Sequence, residues 1–277
     1  RFLELGGEVH MNTGAVRILT GKDGVEGVVL ADGTTVETRH IVANCAPHLV
    51  YGKMMENVPE RIVRATNARK LSGRGFTMFL GLDATAEEMG VQNHNYFLYD
   101  TSDSVRQYHL METIEDNDVQ ATVCLNRAQP DCSPEGTCMM YFTTLFMQRE
   151  DGTDAWSDVT PENYVRTKNR VADRMIERFE RDTGARIRDH IEEISIATPM
   201  TYARYCGHPQ GTIYGYESQY WDGLMPRLQM MNEDYENGVR GLRFAGGYAM
   251  RLSGYSSAYH AGDISGRQTV GDLKREG

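Results

Sequence analysis

The sequence lacks several features that mark common classes of protein. No apolar run approaches the roughly 20 residues of a membrane-spanning helix. There is no basic excess, because 29 Lys and Arg stand against 39 Asp and Glu, for a net charge of -10. The eight histidines include no H-E-x-x-H motif, and the five cysteines include no C-x-x-C pair. These absences argue against a transmembrane segment, a chain-wide nucleic-acid role and a metal site.

The cysteines indicate a reducing environment, since an odd number of them does not read as a disulfide framework. We therefore expect reduced thiols and a cytoplasmic location. No Ser/His/Asp or Cys/His arrangement points to nucleophilic catalysis, so no catalytic residue is assigned. The sequence begins at Arg1 without an initiator Met or a signal-peptide pattern, and we expect it to be the C-terminal portion of a longer protein.

The residues that are present predict mixed α/β structure in a globular chain of 277 residues. Glycine turns and alternating apolar residues predict a β-meander over 6–44, with strands at 8–10, 15–19, 25–30, 35–38 and 40–44. An antiparallel sheet in a second domain is predicted from strand-like runs at 76–82, 96–99, 121–125 and 138–142. The clearest helix begins after Thr160 and ends at Gly184, with Val165, Ala172, Met175, Ile176 and Phe179 on its apolar face.

The last fifth of the sequence carries the strongest pattern. A short apolar strand at 241–245 leads into Gly246-Gly247, and a helix opens after Gly254. Glycines after a strand let the backbone approach a ligand closely, and a helix N-terminus presents unpaired N–H groups. Taken alone, the same glycines also fit tight packing between helix and sheet with no ligand.

Residues 244–262, FAGGYAMRLSGYSSAYHAG, resemble the C-terminal FAD signature of the phytoene desaturase and carotenoid isomerase branch of the flavin amine-oxidase superfamily. Four segments nearer the start resemble the middle of the same family: residues 6–9, 13–18, 27–33 and 41–47. The two matches lie in the family's order and are separated by a stretch that suits a substrate domain. Together they are much more specific than either alone.

The resemblance implies an α/β fold in which residues 1–48 and 240–277 form part of a Rossmann-like FAD domain. Residues 49–239 would be an inserted substrate domain of antiparallel sheet and helices. The strands within 25–44 and 241–245 should then share the FAD domain. The implied reaction is hydride transfer between FAD and a hydrophobic substrate, such as an isoprenoid or polyene.

The family's site residues carry over as follows. Val16 would lie beside the adenine through its backbone, and Gly246 and Gly247 would approach the pyrophosphate and ribitol. Gly254, Tyr255 and Ser256 would lie under the isoalloxazine ring, where a helix N-terminus stabilises negative charge at the N1–C2=O edge.

Two departures from the family pattern matter. The dinucleotide fingerprint G-x-G-x-x-G, with an acidic residue about 20 positions on, is absent from these residues. We therefore expect the chain to lack the N-terminal segment of the FAD domain and, alone, not to retain FAD. Arg251 and Ser256 stand where the family motif carries proline, which leaves the substrate subclass open.

Other residues allow two interpretations each. Tyr202, Tyr214, Tyr216 and Trp221 could line an apolar substrate tunnel or form an ordinary aromatic core. His260, in the flavin helix, is interpreted as a packing or solvent-facing side chain, and His208 as a weak candidate.

Three functions therefore stay open at this point. The first is a desaturase- or isomerase-like flavoenzyme, and the second is an amine-oxidase-like flavoenzyme acting on a small molecule. The third is a flavin-free binding or structural subunit. The expected partner is a hydrophobic small molecule, while peripheral membrane contact is left open and nucleic acid is not expected.

Overall fold

The computed structural model describes residues 1–217, 238–250 and 254–277. The chain divides into a discontinuous unit, formed by Arg1–Lys70 and Tyr214–Gly277, and a central unit, Leu71–Ile213. Where the chain leaves and re-enters the discontinuous unit, the Glu217 N–H donates to the Lys70 carbonyl at 2.9 Å. The divisions, at 70/71 and 213/214, fall 22 and 26 residues inside the predicted ones at 48/49 and 239/240. The assignment of cofactor and substrate roles to the two units stays a prediction.

The structure mixes strands and helices in both units. The strands are β1 (Ala15–Gly21), β2 (Gly24–Leu30), β3 (Thr35–Glu37), β4 (Ile41–Ala43), β5 (Arg74–Leu82), β6 (Asn95–Leu98), β7 (Gln120–Cys124), β8 (Cys138–Phe146), β9 (Ile191–Ala197) and β10 (Leu242–Phe244). The helices are α1 (Pro47–Leu49), α2 (Glu60–Asn67), α3 (Ser104–Leu110), α4 (Pro161–Thr183), α5 (Pro199–Cys206), α6 (Gly247–Met250) and α7 (Tyr255–Glu276), and a π-turn spans Val50–Met54.

In the discontinuous unit, β1, β2 and β3 form the predicted antiparallel meander. The strand β4 leaves this sheet and pairs in parallel with β10, with Ile41 opposite Leu242. The prediction that these distant segments share one unit is confirmed. The strand predicted at 8–10 is wrong: residues 7–10 have no regular structure, and Val9 is 55% exposed, so no apolar face holds them to a sheet.

The central unit contains a five-stranded antiparallel sheet in the order β6-β7-β8-β5-β9. Even-numbered residues of β5 and β8, such as Phe76, Met78 and Phe142, are fully buried and pack with the apolar face of α4. The helix has the predicted bounds, because Asn163 Oδ1 accepts from the Thr160 N–H and Gly184 takes the left-handed conformation that ends it.

Two predictions for this unit need correction. Val165 is 59% exposed although its spacing of seven residues from Ala172 places it on the same side of α4, and Val171 is buried on the helix instead. The strand β9 and the helix α5 were not predicted. β9 lies at the sheet edge with exposed or half-buried residues throughout, so its sequence lacks a clean apolar alternation.

The second face of this sheet carries the odd-numbered residues of β5 and β8. We call Phe79, Met139, Tyr141 and Thr143 the open face, and Thr77, in the same row, is buried beside Tyr202 of α5. Phe79 is 47% exposed and Met139 42% exposed, and the Phe79 and Tyr141 rings lie 6.2 Å apart. No helix in the described ranges is long and apolar enough to cross a membrane.

Candidate functional site

The carboxyl ends of β4 and β10 meet at one edge of their two-stranded sheet. The Ala245 N–H donates to the Ala43 carbonyl at 3.0 Å, which continues the parallel pairing one residue beyond the strands. Asn44 and Gly246 therefore face each other, and a Cβ on Gly246 would lie 2.3 Å from Asn44 Oδ1. In open α/β sheets the crevice outside the carboxyl ends of the strands is the usual ligand site.

Two backbone segments touch beside this edge. A Cβ on Gly247 would stand 2.8 Å from the Tyr214 carbonyl oxygen, and one on Gly215 would stand 2.5 Å from the Gly247 carbonyl oxygen. The glycines at both positions are thus explained by close packing of 214–215 against the start of α6. For Gly247 the packing interpretation accounts for the glycine, and its contact with a cofactor stays a prediction.

An aromatic and basic cluster follows β4 in the same unit. The His48 ring lies 5.9 Å from the Tyr216 ring, and Tyr216 packs edge-to-face on Tyr248 at 5.3 Å. The Arg69 guanidinium lies 5.1 Å from the centre of the Tyr216 ring. Tyr216 is 2% exposed and Tyr248 7% exposed, so both rings are fixed by the packing around them.

The cluster is electrostatically asymmetric. Burial lowers the pKa of His48 below its ordinary value of 6.5, and the nearby Arg69 charge lowers it further. No described residue hydrogen bonds the buried His48 Nδ1. Burial also raises the pKa of the Cys45 thiol, so the thiol stays protonated at neutral pH. The imidazole of His48 and the thiol of Cys45, which follow β4, are therefore neutral, and the guanidinium of Arg69 is the charged group of the cluster.

The helix α7 is anchored on β10 along its length. Ser265 Oγ donates to the Phe244 carbonyl at 2.7 Å, and Asp272 Oδ2 pairs with Arg243 at 2.7 Å in a buried contact. Glu276 pairs with His40 at 3.1 Å, just before β4. The helix therefore runs antiparallel to both strands, and its N-terminus lies about 15 Å along the axis from Ser265, on the carboxyl-end side.

Gly254 precedes the first turn of α7. Its φ is +95°, a conformation that favours glycine, and a Cβ there would meet no described atom within 4 Å. Among the described residues, no close contact accounts for this glycine, and its contact with a cofactor stays a prediction. Tyr255 is 84% exposed and Ser256 is exposed, and a glycine offers no side chain to cap the first-turn N–H groups.

The other predicted residues are distributed as follows. Val16 is 49% exposed and lies in a bulge of β1, where Ala15 pairs with Leu30 and Arg17 with Val29. Tyr202 belongs to the central unit, where its hydroxyl donates to Thr77 Oγ1 at 2.8 Å, whereas Tyr214 and Tyr216 belong to the discontinuous unit. Trp221 lies outside the described residues.

The two histidines named from the sequence, His208 and His260, take no part in the edge formed by β4 and β10. His208 Nδ1 lies 2.7 Å from the Thr212 carbonyl oxygen in the central unit, and His260 is exposed on α7. Asn44, His48 and Arg69 were not predicted. The signal for Asn44 was available, since it lies at the carboxyl end of the predicted strand 40–44, and His48 directly follows Pro47, which stops that strand. Within the described ranges, no group of three or more acidic, His or Cys side chains could hold a metal ion.

Curated proteins provide three informative matches. An all-trans-retinol 13,14-reductase of Danio rerio is 25% identical over 154 residues, which cover 51% of this chain and 25% of the relative. A 4,4'-diaponeurosporene oxygenase of Staphylococcus haemolyticus is 25% identical over 218 residues, covering 77% and 40% respectively. A chloroplastic prolycopene isomerase of Daucus carota is 22% identical over 221 residues, covering 77% and 33%.

The chain is similar in sequence to proteins named as a retinol reductase, a diaponeurosporene oxygenase and a prolycopene isomerase. The resemblance inferred from residues 244–262 is thereby confirmed, although no protein-family model matches the sequence. The chain spans between 25% and 40% of the length of these curated relatives.

Solved structures show the same relationship at the level of the fold. An oxidoreductase from Methanosarcina mazei has a TM-score of 0.55 at 12% identity, covering 96% of this chain and 51% of that structure. A triple mutant of putrescine oxidase has a TM-score of 0.55 at 12% identity, covering 99% and 51%. A cyclohexylamine oxidase from Brevibacterium oxydans has a TM-score of 0.52 at 14% identity, covering 95% and 48%. The predicted mixed α/β fold is confirmed.

Proposed function

We propose that the chain is part of an FAD-dependent oxidoreductase that transfers a hydride between flavin and a hydrophobic, polyene-type substrate. The observation that carries this proposal is the N-terminus of α7, which points past the carboxyl ends of β4 and β10 with open space at Gly254. Relatives named a retinol reductase, a diaponeurosporene oxygenase and a prolycopene isomerase support the substrate class.

The residues of the discontinuous unit fit a flavin cofactor. A side chain at Gly254 would occupy space that no described protein atom fills, as expected where a flat ring approaches the backbone. The first-turn N–H groups of α7 would face the edge of the ring that becomes negative on reduction. The bulge at Val16 offers an exposed strand backbone for the adenine. FAD, when bound, would supply the hydride acceptor and donor.

The open face of the central unit suits the substrate. Phe79, Met139 and Tyr141 present a largely apolar surface, while Thr77, Thr143 and the Tyr202 hydroxyl form a small hydrogen-bonded group at 2.8 Å and 3.1 Å. A polyene needs apolar contact along its length and few polar partners, which matches this distribution. We assign no catalytic side chain, and we place the protein in the cytoplasm because its described cysteines are free.

The test compares two glycines that both have positive φ. Gly254 has φ +95° and Gly33 has φ +88°, and a Cβ at either position meets no described atom within 4 Å. FAD binding is measured by fluorescence titration of the full protein that carries this chain. We expect Gly254→Ala to weaken FAD binding by about 10-fold or more, because the methyl group occupies the ring's position. Gly33→Ala, which also places an alanine at positive φ but in the turn between β2 and β3, should leave FAD affinity unchanged.

The titration also separates the alternatives. If neither variant nor the parent protein binds FAD, the flavin-free subunit is favoured. If both variants bind FAD as the parent does, the assignment of Gly254 to the flavin is wrong. For the substrate, anaerobic addition of a polyene or of a primary amine should change the flavin absorbance only with the polyene. A change with the amine alone would overturn the polyene proposal.

A further inference from the structure

A second crevice lies within the central unit, between α4 and the ends of β7 and β8. Its volume is about 330 Å³, and the segment Ile114–Gln120 forms one wall. One water occupies about 30 Å³ in the liquid, so the crevice is roughly ten times larger than a single water requires. This size falls in the range of small-molecule sites.

The arginines that line the crevice are engaged by the protein itself. Arg174 donates to the Ile114 and Glu115 carbonyls at 2.7 Å and 2.6 Å. Arg178 donates to the Asp118 carbonyl and to Asp100 Oδ1, the latter at 2.7 Å. Arg181 donates to Asp182 at 2.8 Å. Arg174 and Arg178 thus hold the 114–118 segment against α4 and fix this wall of the crevice.

Two acceptors in the same crevice have no such partner. Asp118 Oδ2 accepts the Asp100 N–H at 3.0 Å, whereas Asp118 Oδ1 is buried and bonded to no described residue. Gln120 is 2% exposed and donates through Nε2 to Thr122 Oγ1 at 3.1 Å. Its Oε1 is likewise buried without a partner among the described residues. Leaving buried acceptors unsatisfied is costly, so a donor is expected here.

The charges define what kind of donor fits. Five carboxylates and three guanidinium groups line the crevice, which leaves it net negative. Apolar side chains line it as well, namely Ile114, Phe146, Val171 and Met175. A primary ammonium satisfies a carboxylate and an amide oxygen at once, and a short alkyl chain suits the apolar remainder.

We propose that this crevice is a binding site for a small primary alkylammonium ion, with Asp118 Oδ1 and Gln120 Oε1 accepting from its N–H groups. The site lies in the central unit alone and is independent of the flavin proposal. Its occupant is a ligand and not a reactant, since no Cys, His or Lys side chain is among the described residues that line the crevice.

The test is calorimetric titration of the full chain with n-butylammonium chloride. 1-Butanol serves as the uncharged analogue, and sodium butyrate as the analogue of opposite charge. We expect saturable binding of n-butylammonium alone. Asp118→Asn keeps an oxygen for the Asp100 N–H but turns the second acceptor into a donor, and Gln120→Met removes the amide at similar volume. Each should weaken binding by about 10-fold or more.

Asp131→Asn is the matched control, because Asp131 is an exposed carboxylate outside the crevice and its loss changes the net charge equally. It should bind n-butylammonium as the parent does. The proposal is overturned if the parent binds none of the three probes, if butyrate binds instead, or if all variants bind equally. If one variant has an altered melting temperature without ligand, the n-butylammonium affinity of the other variant decides the test, because Asp118→Asn and Gln120→Met each probe the same site.

Discussion

At the scale of single residues, burial rather than the adjacent residues in the sequence sets the protonation of the side chains that follow β4. His48 and Cys45 follow the strand by a few residues, and both are pushed toward their neutral forms, by burial above all. No motif in the sequence distinguishes them from other histidines and cysteines. Folding distinguishes them, since it buries Cys45 and places His48 beside Tyr216 and the Arg69 charge.

The lowered pKa of His48 predicts a pH dependence of stability. Above its ordinary pKa of 6.5 the imidazole is neutral in both states, and the favourable neutral packing is fully present. As the pH falls below 6.5, the unfolded chain binds the proton first, so the free energy of unfolding decreases. In His48→Phe, which keeps a ring against Tyr216, we expect the free energy of unfolding to decrease less over the same pH range.

Urea denaturation of parent and variant at pH 8 and at pH 5.5 measures the difference. The parent should lose more stability between these two conditions than the variant does. An equal loss in both proteins would show that His48 titrates normally in the folded state.

Gly215 tests the close backbone approach beside β10. Its φ is +81°, and an added Cβ would stand 2.5 Å from the Gly247 carbonyl oxygen, which belongs to backbone and cannot rotate away. We expect Gly215→Ala to lower the free energy of unfolding by roughly 1–3 kcal/mol. Gly52→Ala is the control, since a Cβ there meets nothing within 4 Å. Equal melting temperatures for the two variants would contradict the contact.

At the scale of elements, α7 is held to β10 by polar contacts rather than by a broad apolar stripe. Its buried positions are Ser257, Ala261, Ser265 and Asp272, which are small or charged. The sequence does show the small residues, but not that one carboxylate among them forms a buried ion pair. That pairing requires the strand that carries Arg243.

The buried pair between Arg243 and Asp272 should therefore dominate the stability of the α7 contact. Asp272→Asn removes the charge partner of a guanidinium that is 4% exposed, and we expect a loss of about 3–5 kcal/mol. Asp263→Asn breaks an exposed pair with Arg267 on the same helix and should cost about 0.5 kcal/mol or less. Thermal melts of both variants measure the two losses of stability, and comparable losses would contradict the larger contribution of the buried pair.

At the scale of the whole molecule, the discontinuous unit is assembled from the two ends of the sequence given. β4 and β10 are separated by some 200 residues, yet they lie side by side with Leu242 opposite Ile41. Neither strand has more than three residues, so neither would be a secure prediction from local pattern alone. The family resemblance made the pairing predictable because it identified what lies between them as an insertion.

The sequence by itself determined the features that depend on local chemistry. Thr160, Pro161 and Gly184 define α4, and the alternation in β5, β7 and β8 identifies the central sheet, because capping and side-chain periodicity act within a few residues.

Tertiary structure alone decided the rest. The edge strand β9 forms because β5 offers it a partner, and Val165 is exposed although it lies only seven residues before the buried Ala172 on the same side of α4. The carboxylate at Asp118 and the imidazole at His48 acquire their character from segments distant in sequence. Burial and pairing depend on which segments meet, and that is a property of the folded chain and not of any short stretch of it.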